Sequence, residues 1–148
     1  MEEKFMLAAI AEAEKAAKIN ETPIGAVIVR NGEIIASGHN MRETKKNALM
    51  HAEIIAIRKA EQVLENWRLD ECDMYVTLEP CPMCGWAILQ SRIKNLYFGS
   101  YDNNYGAFSS KIDLREIVST KLSVYGGILE DECDEVLKEF FKQLRDKI

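Results

Sequence analysis

The sequence predicts an α/β protein, a three-layer α/β/α sandwich built on a mixed sheet of about five strands. Three observations carry that expectation. Segments with apolar residues at helical spacing alternate with short runs of β-branched and aromatic residues. Two of those runs are joined by Asn31-Gly32, the strongest short hairpin signal. Strand, helix and strand then follow one another between Asp73 and Gly99, the pattern of a crossover between parallel strands.

From Glu2 to Ile19 the residues Met6, Ala9, Ile10, Ala13, Ala16 and Ala17 recur at helical spacing among Glu and Lys, so an amphipathic helix should lie on the sheet. Ile24 to Arg30 and Glu33 to Ser37 are the hairpin strands. After an irregular polar stretch from His39 to Asn47, Ile54, Ile55, Ile57, Ala60, Val63 and Leu64 return to helical spacing in a second helix that opens near His51. Asp73 to Leu78 is a third strand, ended by Glu79-Pro80. Pro82 suits the first turn of a helix through Met83, Trp86, Ala87, Ile88 and Leu89, and Asn95 to Gly99 is the next strand. Ser100 to Ser110 has loop composition; a short helix near Ile112 to Val118 and a strand near Leu122 to Tyr125 follow. Gly126-Gly127 precedes a last helix from about Glu130 to Lys147, with Cys133, Val136, Leu137, Phe140 and Leu144 on one stripe.

A chain of 148 residues is long enough to bury a core without disulfide support, and a single domain over 1–148 is expected. No run approaches a membrane span, and Met1-Glu2-Glu3-Lys4 lacks the order of a signal peptide, so a cytoplasmic protein with no membrane partner is expected. Lys and Arg total 19 against 24 Asp and Glu, a formal charge of −5. The chain as a whole therefore lacks the basic footprint of a nucleic-acid binder.

Four cysteines are present, two of them scattered (Cys72 and Cys133) and two in the pair Cys81-Pro82-Met83-Cys84. That pair at a helix start fits either a thioredoxin-type redox couple or a metal site. His51 and Glu53 shift the balance toward metal. Zinc takes thiolate and imidazole ligands in a tetrahedron, and a catalytic site keeps one corner for water, so His51, Cys81 and Cys84 make three ligands. A closed structural site would need Cys72 or Cys133 as the fourth. His51 and Glu53 are two apart and would diverge on a regular helix; both can face one pocket only at the helix entrance. Two thiolates neutralise the dication, which leaves bound water less acidified and makes a neighbouring base more valuable, a role open to Glu53 as proton shuttle.

The order His-x-Glu followed by Pro-Cys-x-x-Cys is the zinc deaminase signature. Beyond it the chain resembles the bacterial tRNA adenosine deaminase family nearly end to end. The matching words include Thr22-Pro23-Ile24-Gly25-Ala26-Val27, Gly38-His39-Asn40, His51-Ala52-Glu53-Ile54, Trp67-Arg68-Leu69, Tyr75 to Cys84, Ser91-Arg92-Ile93, Gly127-Ile128-Leu129 and Phe140-Phe141-Lys142. The resemblance implies a cytidine-deaminase-like sandwich, one Zn2+ per subunit and a homodimer. It implies Asn40 as a hydrogen-bonding partner of the base, Ile24, Leu78 and Pro80 as pocket walls, and the backbone near Ala52 as a further contact. Asp102 and Phe141 fall at its loop and C-terminal substrate positions. Read without the family, Asn40 is equally a turn residue tolerant of left-handed geometry, and Phe141 is a core residue. The chain departs from the family pattern in three places. Asn47-Ala48-Leu49-Met50 stands where Pro-Thr-Ala is usual, Ser119-Thr120-Lys121 replaces Asn-His-Arg, and Tyr101 and Asn104 replace basic loop residues.

The resemblance implies hydrolytic conversion of adenosine to inosine in tRNA, at the anticodon wobble position, with Lys142 and Arg145 at phosphates or simply complementing the helix dipole. The alternative is deamination of a free nucleobase or nucleoside of guanine, cytosine or adenosine type, which the acidic charge and altered loops favour.

Overall fold

The computed structural model describes residues 1–147; Ile148, the last residue of the domain expected over 1–148, lies outside the described residues. The order is α1 (Glu3–Lys18), β1 (Gly25–Arg30), β2 (Glu33–His39), α2 (Ala52–Leu64), β3 (Cys72–Leu78), α3 (Pro82–Gln90), β4 (Asn95–Ser100), a 3-10 turn (Leu114–Glu116), β5 (Ser123–Tyr125) and α4 (Glu130–Asp146). The five strands form one sheet in the order β2-β1-β3-β4-β5. It is mixed, because β1 runs antiparallel to β2 and β3 while β3, β4 and β5 are parallel.

Local chemistry explains the turns. Asn31 and Gly32 both take positive φ (52° and 77°), the two-residue geometry whose twist matches the flanking strands of the hairpin. Alternation along the strands divides the core. Ala26, Ile28, Met74, Val76, Leu96 and Phe98 face α2 and α3. Val27, Val29, Tyr75 and Tyr97 face α1 and Cys133 of α4. On that second face Tyr75, Tyr97 and Tyr125 form a ladder across β3, β4 and β5, with ring centroids 4.6 and 5.1 Å apart.

Register decides which chain ends meet. Ala26 pairs with Gly38 of β2 and with Val76 of β3, and Leu78 pairs with Ser100 of β4. The start of β1 and the ends of β2, β3 and β4 therefore share one edge, the side on which open α/β sheets hold ligands. Gly38 lets α2 settle there, since a Cβ on it would lie 2.8 Å from the Ala52 carbonyl oxygen and 3.0 Å from the Ala56 nitrogen.

Three expectations change. The helix near Ile112 to Val118 is only the 3-10 turn at Leu114–Glu116, begun by Asp113, whose side chain accepts from the Arg115 N–H. The stripe on the last helix buries Cys133 alone; Val136, Leu137 and Phe140 are half-buried and Leu144 is exposed, because α4 packs mainly against β4 and α1. Phe141 is 41% exposed and meets Phe140 edge-on at 5.4 Å, so it is not a core residue.

Candidate metal centre

His51 is the residue before the first turn of α2, with extended backbone (φ −77°, ψ 156°), and Cys81 holds the same position before α3 (φ −75°, ψ 172°). Two helix N-termini thus converge on one point, each with unpaired N–H groups and positive dipole ends that favour thiolate. Pro82 begins α3 without loss of a hydrogen bond, and the Gly85 N–H donates to the Cys81 carbonyl at 2.8 Å, closing the turn that carries Cys84 back toward Cys81.

The metal-binding atoms of His51, Cys81 and Cys84 lie within 4.8 Å of one another. His51 Nδ1 is 3.8 Å from Cys81 Sγ and 3.4 Å from Cys84 Sγ. Zinc with Zn–S near ~2.3 Å and Zn–N near ~2.05 Å in a tetrahedron would set each S···N separation at roughly 3.6 Å. The two observed distances bracket that value, so the donor set fits the ion in chemistry and in spacing. All four cysteines are free thiols, so the Cys81–Cys84 pair is not a disulfide. Cys72, at the far end of β3, and Cys133, on α4 and packed against Gly99 of β4, are both outside the cluster. The closed four-ligand reading therefore has no fourth ligand among the described residues.

The extended backbone at His51 answers the spacing problem. His51 stands outside the helix and Glu53 inside its first turn, so the two side chains need not diverge as they would on a continuous helix. Glu53 is 4% exposed. Burial pushes its carboxyl up to about 7, against the opposing effects of backbone hydrogen bonding, His51 and the Cys84 thiol. A hydrogen bond from Cys84, aided by His51 and opposed by burial, pulls Cys81 down to about 4. Cys84 is pushed up by donating to Cys81, by burial and by Glu53, and His51 is raised chiefly by its interaction with Cys81. A carboxyl whose neutral form is favoured by burial can hold a proton and give it back, which is what proton shuttling requires.

The other expected residues divide into two groups. Ile24 and Asn40 sit together at the shared edge, where the Asn40 N–H donates to the Ile24 carbonyl at 3.0 Å. Asn40 is buried and does not take left-handed backbone; its amide donates to the Thr22 carbonyl and its oxygen accepts from the Arg42 N–H, both at 3.3 Å. Ala52 is fully buried beside His51, and Leu78 and Pro80 lead directly into Cys81. Asp102 and Phe141 are not in the cluster. The Asp102 carboxylate accepts from the Asn104 and Tyr105 N–H groups and shapes its own loop, while Phe141 belongs to α4 on the opposite face of the sheet.

Among the buried acids that escaped the reading of the letters, Glu79 and Glu21 shape the loops around the site. Glu79 is 1% exposed. One of its oxygens accepts from the Asp102 N–H (3.1 Å) and the Ser110 hydroxyl, and the other accepts from the N–H groups of Phe108 (3.2 Å), Ser109 (2.9 Å) and Ser110 (3.0 Å). Burial alone would raise its pKa, but these donors outweigh burial and hold it below the ordinary value. Glu21 does the same for the stretch after Asn40, accepting from the Glu43 and Thr44 N–H groups at 3.1 and 2.6 Å. Beyond its place in the family word Tyr75 to Cys84, the sequence signal for Glu79 was a carboxylate before a proline; nothing marked Glu21.

A cleft of about 790 Å³ between Arg68, Glu71, Trp86, Arg92 and Lys121 lies at the opposite end of β3 and α3 from the cluster. Arg68 is paired there with Asp70, and Lys94 with Glu71.

Comparison with known proteins agrees with this geometry. The family description for MafB19-like deaminases matches residues 1–145. A tRNA-specific adenosine deaminase of Bacillus subtilis (strain 168) is 45% identical over 148 residues, covering 99% of this chain and 92% of that protein. A solved structure from work on A-to-I editing by tRNA:A34 deaminases superposes with a TM-score of 0.88 at 40% identity, over 90% of this chain and 99% of the other. A guanine deaminase structure from Bacillus subtilis superposes with a TM-score of 0.66 at 33% identity, over 76% of this chain and 82% of that one.

Proposed function

The chain belongs to the tRNA adenosine deaminase family, within the zinc-dependent deaminases of cytidine-deaminase-like fold, and from that membership we propose that it converts adenosine to inosine in tRNA at the anticodon wobble position. The observation that carries the chemistry is the spacing of His51 Nδ1 from the two sulfurs, with buried Glu53 beside them. The tRNA substrate is supported by the relatives, which match along nearly the whole chain.

His51, Cys81 and Cys84 would hold the zinc ion, which would supply Lewis acidity and lower the pKa of a water molecule. Glu53 moves the protons. It accepts one from the attacking water, delivers it to the ring nitrogen beside the amino-bearing carbon, and carries the next to the departing ammonia. Its burial favours the neutral acid, so one group can hold each proton and release it in turn. Asn40 hydrogen-bonds the base, Ile24, Leu78 and Pro80 form the pocket wall, and the Ala52 backbone contributes a further contact. Asp102 and Phe141 contact the RNA outside the pocket, not the reacting base. Arg42, Lys45 and Lys46, all exposed on the stretch after Asn40, put positive charge beside the site although the chain as a whole is acidic.

The working unit is a single catalytic domain acting as a homodimer in the cytoplasm. Exposed Val63, Trp86 and Ile117 on the α2 and α3 side support pairing through that layer. Among the described residues no helix is long and apolar enough to cross a membrane. The test of the substrate is inosine formation and ammonia release on an anticodon stem-loop, measured beside free adenosine, guanine and cytosine. Turnover of the stem-loop alone is expected. Turnover of a free base with none on the stem-loop would replace this reading with a free-base deaminase.

A further inference from the structure

We propose that Tyr105 is a stacking platform for an unpaired nucleobase that flanks the target nucleotide; the inference rests on the RNA substrate proposed above. Residues 101–110 contain no Lys or Arg and one acid, Asp102, so this loop offers no cation to a phosphate. It presents aromatic surface instead. Tyr101 is tied down, its ring edge-on to Phe98 at 5.0 Å and its hydroxyl close to Gly126. Tyr105 is 67% exposed and belongs to none of the aromatic pairs among the described residues.

The loop that carries this ring is fixed beside the metal cluster. It leaves the end of β4 at the shared edge, and the Ala107 N–H donates at 2.9 Å to the carbonyl of Pro80, the residue before Cys81. The Glu79 carboxylate binds the loop through five hydrogen bonds on both sides of Tyr105, from Asp102 and from Phe108 to Ser110. Gly106 packs so closely on that carboxylate that a Cβ would lie 2.4 Å from its carbon. The Tyr105 N–H itself donates to Asp102 Oδ1 at 3.1 Å, and the Gly106 N–H to the Asp102 carbonyl at 2.9 Å. An exposed aromatic ring on a backbone held this firmly loses little freedom on binding, and single-stranded RNA bases are recognised by such rings. Glu79 is then a positioning residue for the platform.

The experiment uses the zinc-loaded enzyme and an anticodon stem-loop, intact or with an abasic site on either side of the target adenosine. Tyr105→Ala should raise KM for the intact stem-loop on the order of 10-fold, with a much smaller change in kcat, and Tyr105→Phe should restore it. One abasic stem-loop should show the same KM with wild type and with Tyr105→Ala, which identifies the stacked neighbour. The slope of log KM against log salt should be unchanged by Tyr105→Ala, because no phosphate contact is lost. An unchanged KM in Tyr105→Ala, equal defects in the Ala and Phe variants, or a reduced salt slope would each overturn the platform while wild-type turnover of the stem-loop leaves the substrate reading intact. Wild type inert on the stem-loop but active on a free base would overturn both.

Discussion

Replacing Glu79 by Gln tests whether one buried carboxylate organises the loop over the catalytic edge. The best placement of the Gln amide puts its oxygen toward the N–H groups of Phe108, Ser109 and Ser110, which keep an acceptor. The amide nitrogen then faces the Asp102 N–H and the Ser110 hydroxyl; the hydroxyl can rotate to accept, but the N–H loses its partner. One unsatisfied donor, together with the weakening of three charge-assisted bonds, costs about 1–3 kcal/mol, and Glu79→Ala, which strips all five, costs about 3–5 kcal/mol because only the donors nearest the surface can turn to water. For a domain of this size those losses lower Tm by about 3–10 °C and 8–20 °C respectively. The assay is thermal unfolding from pH 7 to pH 3. Because the folded pKa of Glu79 is depressed below 4.5, its contribution is complete above that value and is lost as pH falls through the lower folded value. The gap between wild type and Glu79→Gln should therefore be constant above about pH 5 and shrink below about pH 4. A Gln variant within ~0.5 kcal/mol of wild type at pH 7, or a gap that persists undiminished at pH 3, would refute the reasoning.

The remaining predictions concern close approach and chemistry. Gly106→Ala places a Cβ 2.4 Å from the Glu79 carboxyl carbon and should cost about 1–3 kcal/mol in denaturant unfolding. Combined with Glu79→Ala, which opens the space, it should cost clearly less than the sum of the two single changes. Gly38→Ala drives a Cβ against the first turn of α2 and should cost a similar amount, with reduced zinc retention because His51 enters that turn. Glu53→Gln should lower kcat by roughly 10²- to 10⁴-fold while zinc content and Tm stay close to wild type, measured by metal analysis and calorimetry on the same preparation.

Much of the architecture is legible in the letters because local rules and tertiary packing agree. Asn31-Gly32, Pro82 and the alternation through Val27, Ile28 and Val29 each have one favourable local solution, and the sheet adopts it. Legibility fails where an element lacks enough contact with the rest. The helical pattern of α4 is plain, yet it packs mainly against β4 and α1, so a stripe that looks like core is half-buried at Phe140 and exposed at Leu144. The segment near Ile112 to Val118 has too little surface to bury for more than a single 3-10 turn. In the site, His51, Glu53, Cys81 and Cys84 were readable as a set because metal chemistry restricts both residue type and order. Glu79 and Glu21 were not, because their partners are backbone N–H groups more than twenty residues away, and a backbone donor leaves no trace in composition. Asn40 shows the same limit, since residue type suits both a turn and a buried hydrogen-bonding amide, and only the fold places it beside Ile24.

X-ray absorption at the zinc edge of the purified protein addresses the metal geometry directly. The account predicts one zinc per chain with two sulfurs near ~2.3 Å, one imidazole nitrogen near ~2.0 Å and one further light atom from solvent. A third or fourth sulfur, or a metal-free protein whose Cys81 and Cys84 are oxidised to each other, would contradict it.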